Sequence, residues 1–283
     1  MPEYTFSTPG SIALVVKNLG GNVVIRATDG DTTNVSLSGA QADEATVTQS
    51  GDTITVQAPH PDWLEAGLLR NWGRDHRLDI TIDAPTGSHV RVKLGAGEVQ
   101  LTGMLGSVEV RSGAGDVHIA DATSESSVHI GAGNIHVDSI AAATRLSSGA
   151  GKIHLGEANG EARLNLGMGD VSIGHVAAPV FVKSGAGEVL VSAVTGDLTV
   201  NTGFGGTTIE RISAGRFTYK GTGGDITVGV PTGTPTWTEL STVAGRVSND
   251  LPSVGEPKPG QDHVELRVTT VTGSIELHPL VNT

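Results

Sequence analysis

The sequence predicts an all-β protein: a single-chain parallel β-solenoid with about eighteen residues per coil and irregular ends. Three observations lead there. Gly supplies 40 of 283 residues while aromatics amount to 3%, which suits short strands ended by turns around a thin aliphatic core. A Gly-Ala-Gly phrase recurs, as in Gly113-Ala114-Gly115-Asp116-Val117, and its second glycine falls at 97, 115, 133, 151, 169, 187 and 205, a constant step of eighteen. Aligned on that step, apolar residues form columns separated by polar ones, the period-two pattern of a strand with one buried face.

The columns define the coil. Val99, Val117, Ile135, Ile153, Val171 and Val189 make one ladder, and Leu101, Ile119, Val137, Leu155, Ile173, Val191 and Ile209 a second. Half a coil away run Val110, Val128, Leu146, Leu164, Val182 and Val200, with Met104, Ala122, Ile140, Ala158, Val176, Val194 and Ile212 between the strands. The turn glycines Gly97, Gly115, Gly133, Gly151, Gly169 and Gly187 permit a tight reversal. The alanine between each pair of glycines is expected to face the narrow edge of the core, so Met168 and Phe204 should widen their coils. Strands stacked at ~4.8 Å make about ten coils a rod on the order of 50 Å long. The crossover preference makes it right-handed. Two strands per coil predict a flattened section, with a triangular one left open.

Residues 1–90 alternate with irregular spacing and read as an N-terminal β region and cap, with a helical insertion near 61–77. Residues 91–283 read as the regular solenoid and its C-terminal cap, where Pro252, Pro257 and Pro259 mark an excursion loop.

Charge and composition exclude several functions. A net charge of −12 opposes binding to nucleic-acid backbones and to anionic membranes. Cys is absent, so neither disulfides nor thiolate metal sites arise. The first residues carry no basic segment followed by an apolar run, and no stretch approaches the ~20 apolar residues of a membrane span. The expected location is the cytoplasm, and no cofactor is expected.

The repeated Gly-Ala-Gly-Asp-Val phrase and the approach through Ile82-Asp83-Ala84-Pro85-Thr86-Gly87 resemble the bacterial putative-adhesin domain of unknown function. The ending Gly245-Arg246-Val247-Ser248-Asn249-Asp250-Leu251, followed by Pro259-Gly260-Gln261-Asp262-His263-Val264, is similar to its soluble, actinobacterial-type branch. The resemblance covers nearly the whole chain. It implies a β-solenoid and brings no catalytic or binding residues with it.

Candidate sites are few. His118, His136 and His154 share an outward column and form a candidate metal or proton-sensitive stripe. The outer two would lie ~10 Å apart, too far to share one tetrahedral ion, so a solvated polar stripe is the reading the spacing favours. The column Glu98, Asp116, Asn134, Lys152, Asp170 and Glu188 places its acid next to the glycine rather than two residues beyond it, unlike calcium-binding β-rolls. Its expected role is turn geometry, with Lys152 relieving repulsion between carboxylates. Trp63, Leu64, Leu68, Leu69 and Trp72 cluster in the insertion and are candidate partner-interface residues, set against a role in covering the core. A non-enzymatic scaffold or interaction protein, whose long regular sides and two distinct ends would serve association with itself or another protein, is the function these features favour. A carbohydrate or surface-ligand module would need outward aromatic platforms, for which only the isolated Phe181 and Tyr219 offer themselves. A polysaccharide-active enzyme would need a cleft of clustered acids and bases.

Overall fold

A computed structural model describes residues 1–59, 77–258 and 260–281. Among these residues every regular element is a strand, and no helix is long and apolar enough to cross a membrane. The chain forms two compact units, Met1–Ala132 and Gly133–Thr283. In each, every full coil contributes one strand to each of two sheets. The expected boundary between residues 90 and 91 falls within the strand His89–Ala96.

The first unit contains β1 (Glu3–Ser7), β2 (Ala13–Gly20), β3 (Val23–Thr28), β4 (Thr32–Ser38), β5 (Thr46–Ser50) and β6 (Thr53–Gln57). It continues with β7 (Asp79–Pro85), β8 (His89–Ala96), β9 (Val99–Leu105), β10 (Val108–Ala114), β11 (Val117–Ala122) and β12 (Ser126–Ala132). One sheet runs β1-β4-β7-β3-β9-β11 and the other β12-β10-β8-β2-β6-β5. The regular coils pair in parallel, with Val117 on Val99 and Val110 on Val92. The irregular start departs from the repeat. β8 and β9 stack on β2 and β3, and β6 and β7 lie on the far side of that first coil. β1, β4 and β5 are antiparallel additions that close the end, burying Thr33, Val35, Leu37, Ala42 and Ala45.

The second unit contains β13 (Ile135–Ile140), β14 (Thr144–Ala150), β15 (Ile153–Ala158), β16 (Ala162–Met168), β17 (Val171–Val176) and β18 (Val180–Ala186). After these come β19 (Val189–Val194), β20 (Leu198–Phe204), β21 (Thr207–Ile212), β22 (Gly215–Gly223) and β23 (Ile226–Pro231). β24 (Thr236–Ala244), β25 (Val247–Asn249), β26 (Val264–Thr272) and β27 (Ile275–Leu280) complete it. Here Ile135, Ile153, Val171, Val189 and Thr207 stand in register on successive strands. The last-made coil, β26 with β27, is intercalated: β26 pairs with both β22 and β24, and β27 with both β23 and β25.

Three expectations about the coil need correction. Met104 is exposed and Leu105 fills its inward place, because the register slips between Ile119 and Asp121, opposite Gly103 with its φ of 79°. The residue between the paired glycines faces outward: Met168 and Phe204 are both 64% exposed. They therefore widen no coil, and the inward place belongs to Ser112, Ile130, Ser148, Leu166, Ser184 and Thr202. Tyr219 is no outward platform. It is fully buried in the Val182–Val200 ladder, where Gly221 leaves room for its hydroxyl.

The glycine phrase has a steric cause. The second glycine of each phrase holds a positive φ, from 117° at Gly115 to 141° at Gly97, where L-residues are strained. A Cβ on Gly151 would also overlap the carbonyl oxygen of Gly133, one coil earlier. The first glycine, such as Gly167, has no such φ, yet its Cβ would meet the Gly149 oxygen.

Candidate functional site

The outward columns were the first place the sequence pointed. His118 lies on β11, half-buried, opposite Gln100. In the second unit His136 and His154 are register partners, with ring centroids 4.5 Å apart and planes tilted by 18°. His136 Nε2 stands 2.8 Å from Asp138 Oδ1. Stacked rings keep their nitrogen lone pairs roughly parallel, whereas one zinc-like ion ~2.1 Å from each nitrogen needs them convergent.

At His154 this arrangement opposes protonation. Burial, reinforced by the neighbouring His136 charge and only partly offset by Asp138, holds the His154 pKa below the ordinary 6.5. The unfolded chain therefore takes up that proton first, so stability is expected to fall as pH drops below about 6.5. Thermal melts of His154→Gln should lose that part of the pH dependence; an unchanged slope would show that other groups cause it.

The column after the turn glycine is a set of inter-coil hydrogen bonds. The Lys152 N–H donates to Asn134 Oδ1 at 2.9 Å, and the Ser274 N–H to Asp225 Oδ1 at 2.7 Å. Lys152 Nζ lies 3.1 Å from Asp170 Oδ2, and the hydrogen bond from this ammonium, with that from the Glu188 N–H, holds the Asp170 carboxyl below its usual range. Trp63, Leu64, Leu68, Leu69 and Trp72 lie outside the described residues. Near the start of that segment a groove of about 450 Å³ is lined by Lys17, Leu19, Pro59, Lys93 and Arg111. Phe181, on the outer face of β18, is 41% exposed and lies under the Arg163 guanidinium at 5.2 Å.

The second unit ends differently from the first. Among the described residues β24 and β25 are the last strands of their sheets, each paired on one side only. Every inward position on β26 (Val264, Leu266, Val268, Thr270) is buried, but their partners on β24 (Thr236, Thr238, Leu240, Thr242) are only half-buried. Among the described residues no further strand covers the core at this end. On the outer face of β24, Trp237 is 51% and Val243 82% exposed. Between them Glu239 accepts a hydrogen bond from Arg267 Nε at 2.8 Å, and the Arg267 guanidinium lies 5.8 Å from the Trp237 ring. Backbone groups complete the site. Amide and carbonyl groups alternate sides along a strand, and the Val264 N–H binds the Pro235 oxygen. Odd-numbered residues of β24 therefore face β26, which leaves the groups of Thr238, Leu240 and Thr242 directed at the open edge. Sequence reasoning passed over this strand. The signal was Thr238, in a column where the preceding coils carry Val180, Leu198, Phe217 and Leu266.

Fold and columns together define a parallel two-sheet β-solenoid with short glycine turns. The family model described as Toastrack DUF4097 matches residues 12–194, and the chain belongs to that family. Similar solved structures include a putative adhesin from Bacteroides fragilis NCTC 9343, 11% identical over 98% of this chain and 96% of that one, with a TM-score of 0.29. A putative cell adhesion protein from Clostridium sporogenes ATCC 15579 is 11% identical over 99% of both chains, with a TM-score of 0.23. A putative adhesin from Parabacteroides distasonis ATCC 8503 is 13% identical over 81% of this chain and 96% of that one, with a TM-score of 0.37. No curated protein matches the chain.

Proposed function

We propose that this protein is a non-enzymatic scaffold that acts by association, and that the uncovered coil β24–β25 is the surface through which it associates. The observation that carries this is the contrast between two ends: antiparallel strands close the first unit, whereas the second leaves half-buried core positions beside an unpaired strand edge. An unprotected edge is a template for strand addition, and soluble proteins ordinarily blunt such edges.

The non-enzymatic part has separate support. Charged groups form separate exposed ion pairs, Arg91 with Glu109, Arg163 with Glu161 and Arg216 with Glu265. A hydrolase needs such groups gathered in a cleft. The test is a photo-crosslinking side chain at position 243 in the producing cell, with position 109 as background. A discrete adduct from 243, weakened by Leu240→Lys, is expected. Adduct yield no higher from 243 than from 109 would remove the reading.

A further inference from the structure

We infer that the partner taken up by the open edge is a second copy of this chain, added antiparallel so that Leu240 faces Leu240 across a two-fold axis. This rests on the association reading above and names its partner.

The argument begins with register. Centred on Leu240, antiparallel self-pairing places Trp237 opposite Val243, Thr238 opposite Thr242 and Glu239 opposite Ser241. The two most exposed apolar residues of the strand then cover each other on the outer face. Aromatic–β-branched and Thr–Thr pairs are favourable cross-strand neighbours. The one acid meets a hydroxyl while keeping its bond to Arg267. Sliding the copies by two residues, so that residue 239 is central, sets Glu239 against Glu239 and parts Trp237 from Val243. A one-residue slip turns one copy's core face to solvent.

The backbone agrees with the same centre. Leu240 directs its amide and carbonyl at the open edge, as a hydrogen-bonded antiparallel pair requires. The axis of such a pair is normal to the sheet, and a half-turn about that normal leaves both inward faces on the same side. The two uncovered cores therefore meet, and Thr238, Leu240 and Thr242 of each copy gain the neighbours that every interior coil already has. The pairing is isologous and closes after two copies.

The absence of cysteine makes the register directly testable. Partners in a hydrogen-bonded antiparallel pair sit ~5.5 Å apart at Cα, within disulfide range. Mild oxidation of Leu240→Cys should give a covalent dimer, and an oxidised mixture of Thr238→Cys with Thr242→Cys should give a mixed dimer that neither yields alone. Val243→Cys is the control: it is more exposed, yet in this register its copies are ~20 Å apart and should stay unlinked. Equal crosslinking of Leu240→Cys and Val243→Cys would mean random collision and overturn the proposal. So would a chain that sediments as a monomer at all concentrations with no Leu240→Cys dimer. If that monomer still gives a position-243 adduct with a different protein in cells, this pairing falls while the association reading stands.

Discussion

Replacing Gly151 with alanine should lower stability by about 3–5 kcal/mol, far more than one added methyl group ordinarily does. Two costs combine. The backbone sits at a φ of 133°, where a side chain brings roughly 1–3 kcal/mol of strain. The new Cβ would overlap the Gly133 oxygen of the preceding coil, so adjacent strands must separate and weaken hydrogen bonds such as that from the Gly133 N–H to the Ala150 oxygen. Thermal unfolding should fall by on the order of 10 °C. Two controls isolate the cause. Gly30 has no positive φ and nothing near its would-be Cβ, so Gly30→Ala should be neutral or slightly stabilising. Ala150→Met reproduces what Met168 does at the next outward position of its column and should be tolerated. Comparable losses in all three variants would refute the close approach of successive turns.

The second large effect is expected at the intercalated coil. Leu277 is fully buried, pairs with Val228 on one side and Asn249 on the other, and its carbonyl accepts the Asp250 N–H. Leu277→Ala should cost about 2–5 kcal/mol from lost burial and the cavity left behind. Stability in a repeat stack is largely a sum over neighbouring contacts, so the loss should concentrate locally. Hydrogen exchange should quicken first in β24 and β25, whose only sheet neighbours among the described residues are β26 and β27, while β14 to β20 keep their protection. Uniform acceleration across residues 133–281 would instead show one cooperative block.

How much of this was legible in advance depends on how far apart the contacting residues lie. The ladders through Ile135, Ile153 and Val171 could be read because one step relates every pair. The inward place of Leu105 could not, since the slip at Ile119/Asp121 is one extra residue in one strand and leaves the glycine spacing intact. The outward turn of Met168 and Phe204 depends on where the corner lies between two glycines, which alternation alone does not fix. At the ends the relation is nonlocal. Asn22 bonds Glu98 across 76 residues, and no periodicity marks which strand a displaced coil joins. The open edge was overlooked for a related reason: Trp237 drew no notice apart from the tryptophans of the insertion. Only the sheet order shows that no described strand lies beyond β24.

The intercalation also dictates a timetable. A nascent chain emerges in order, so Thr236–Asn249 leaves the ribosome before either strand that will hold it, Val264–Thr272 or Ile275–Leu280. At ~5–20 residues per second that segment waits on the order of seconds, sticky and unseated. The stack can be sealed only after Ile275–Leu280 has followed it out of the ribosome.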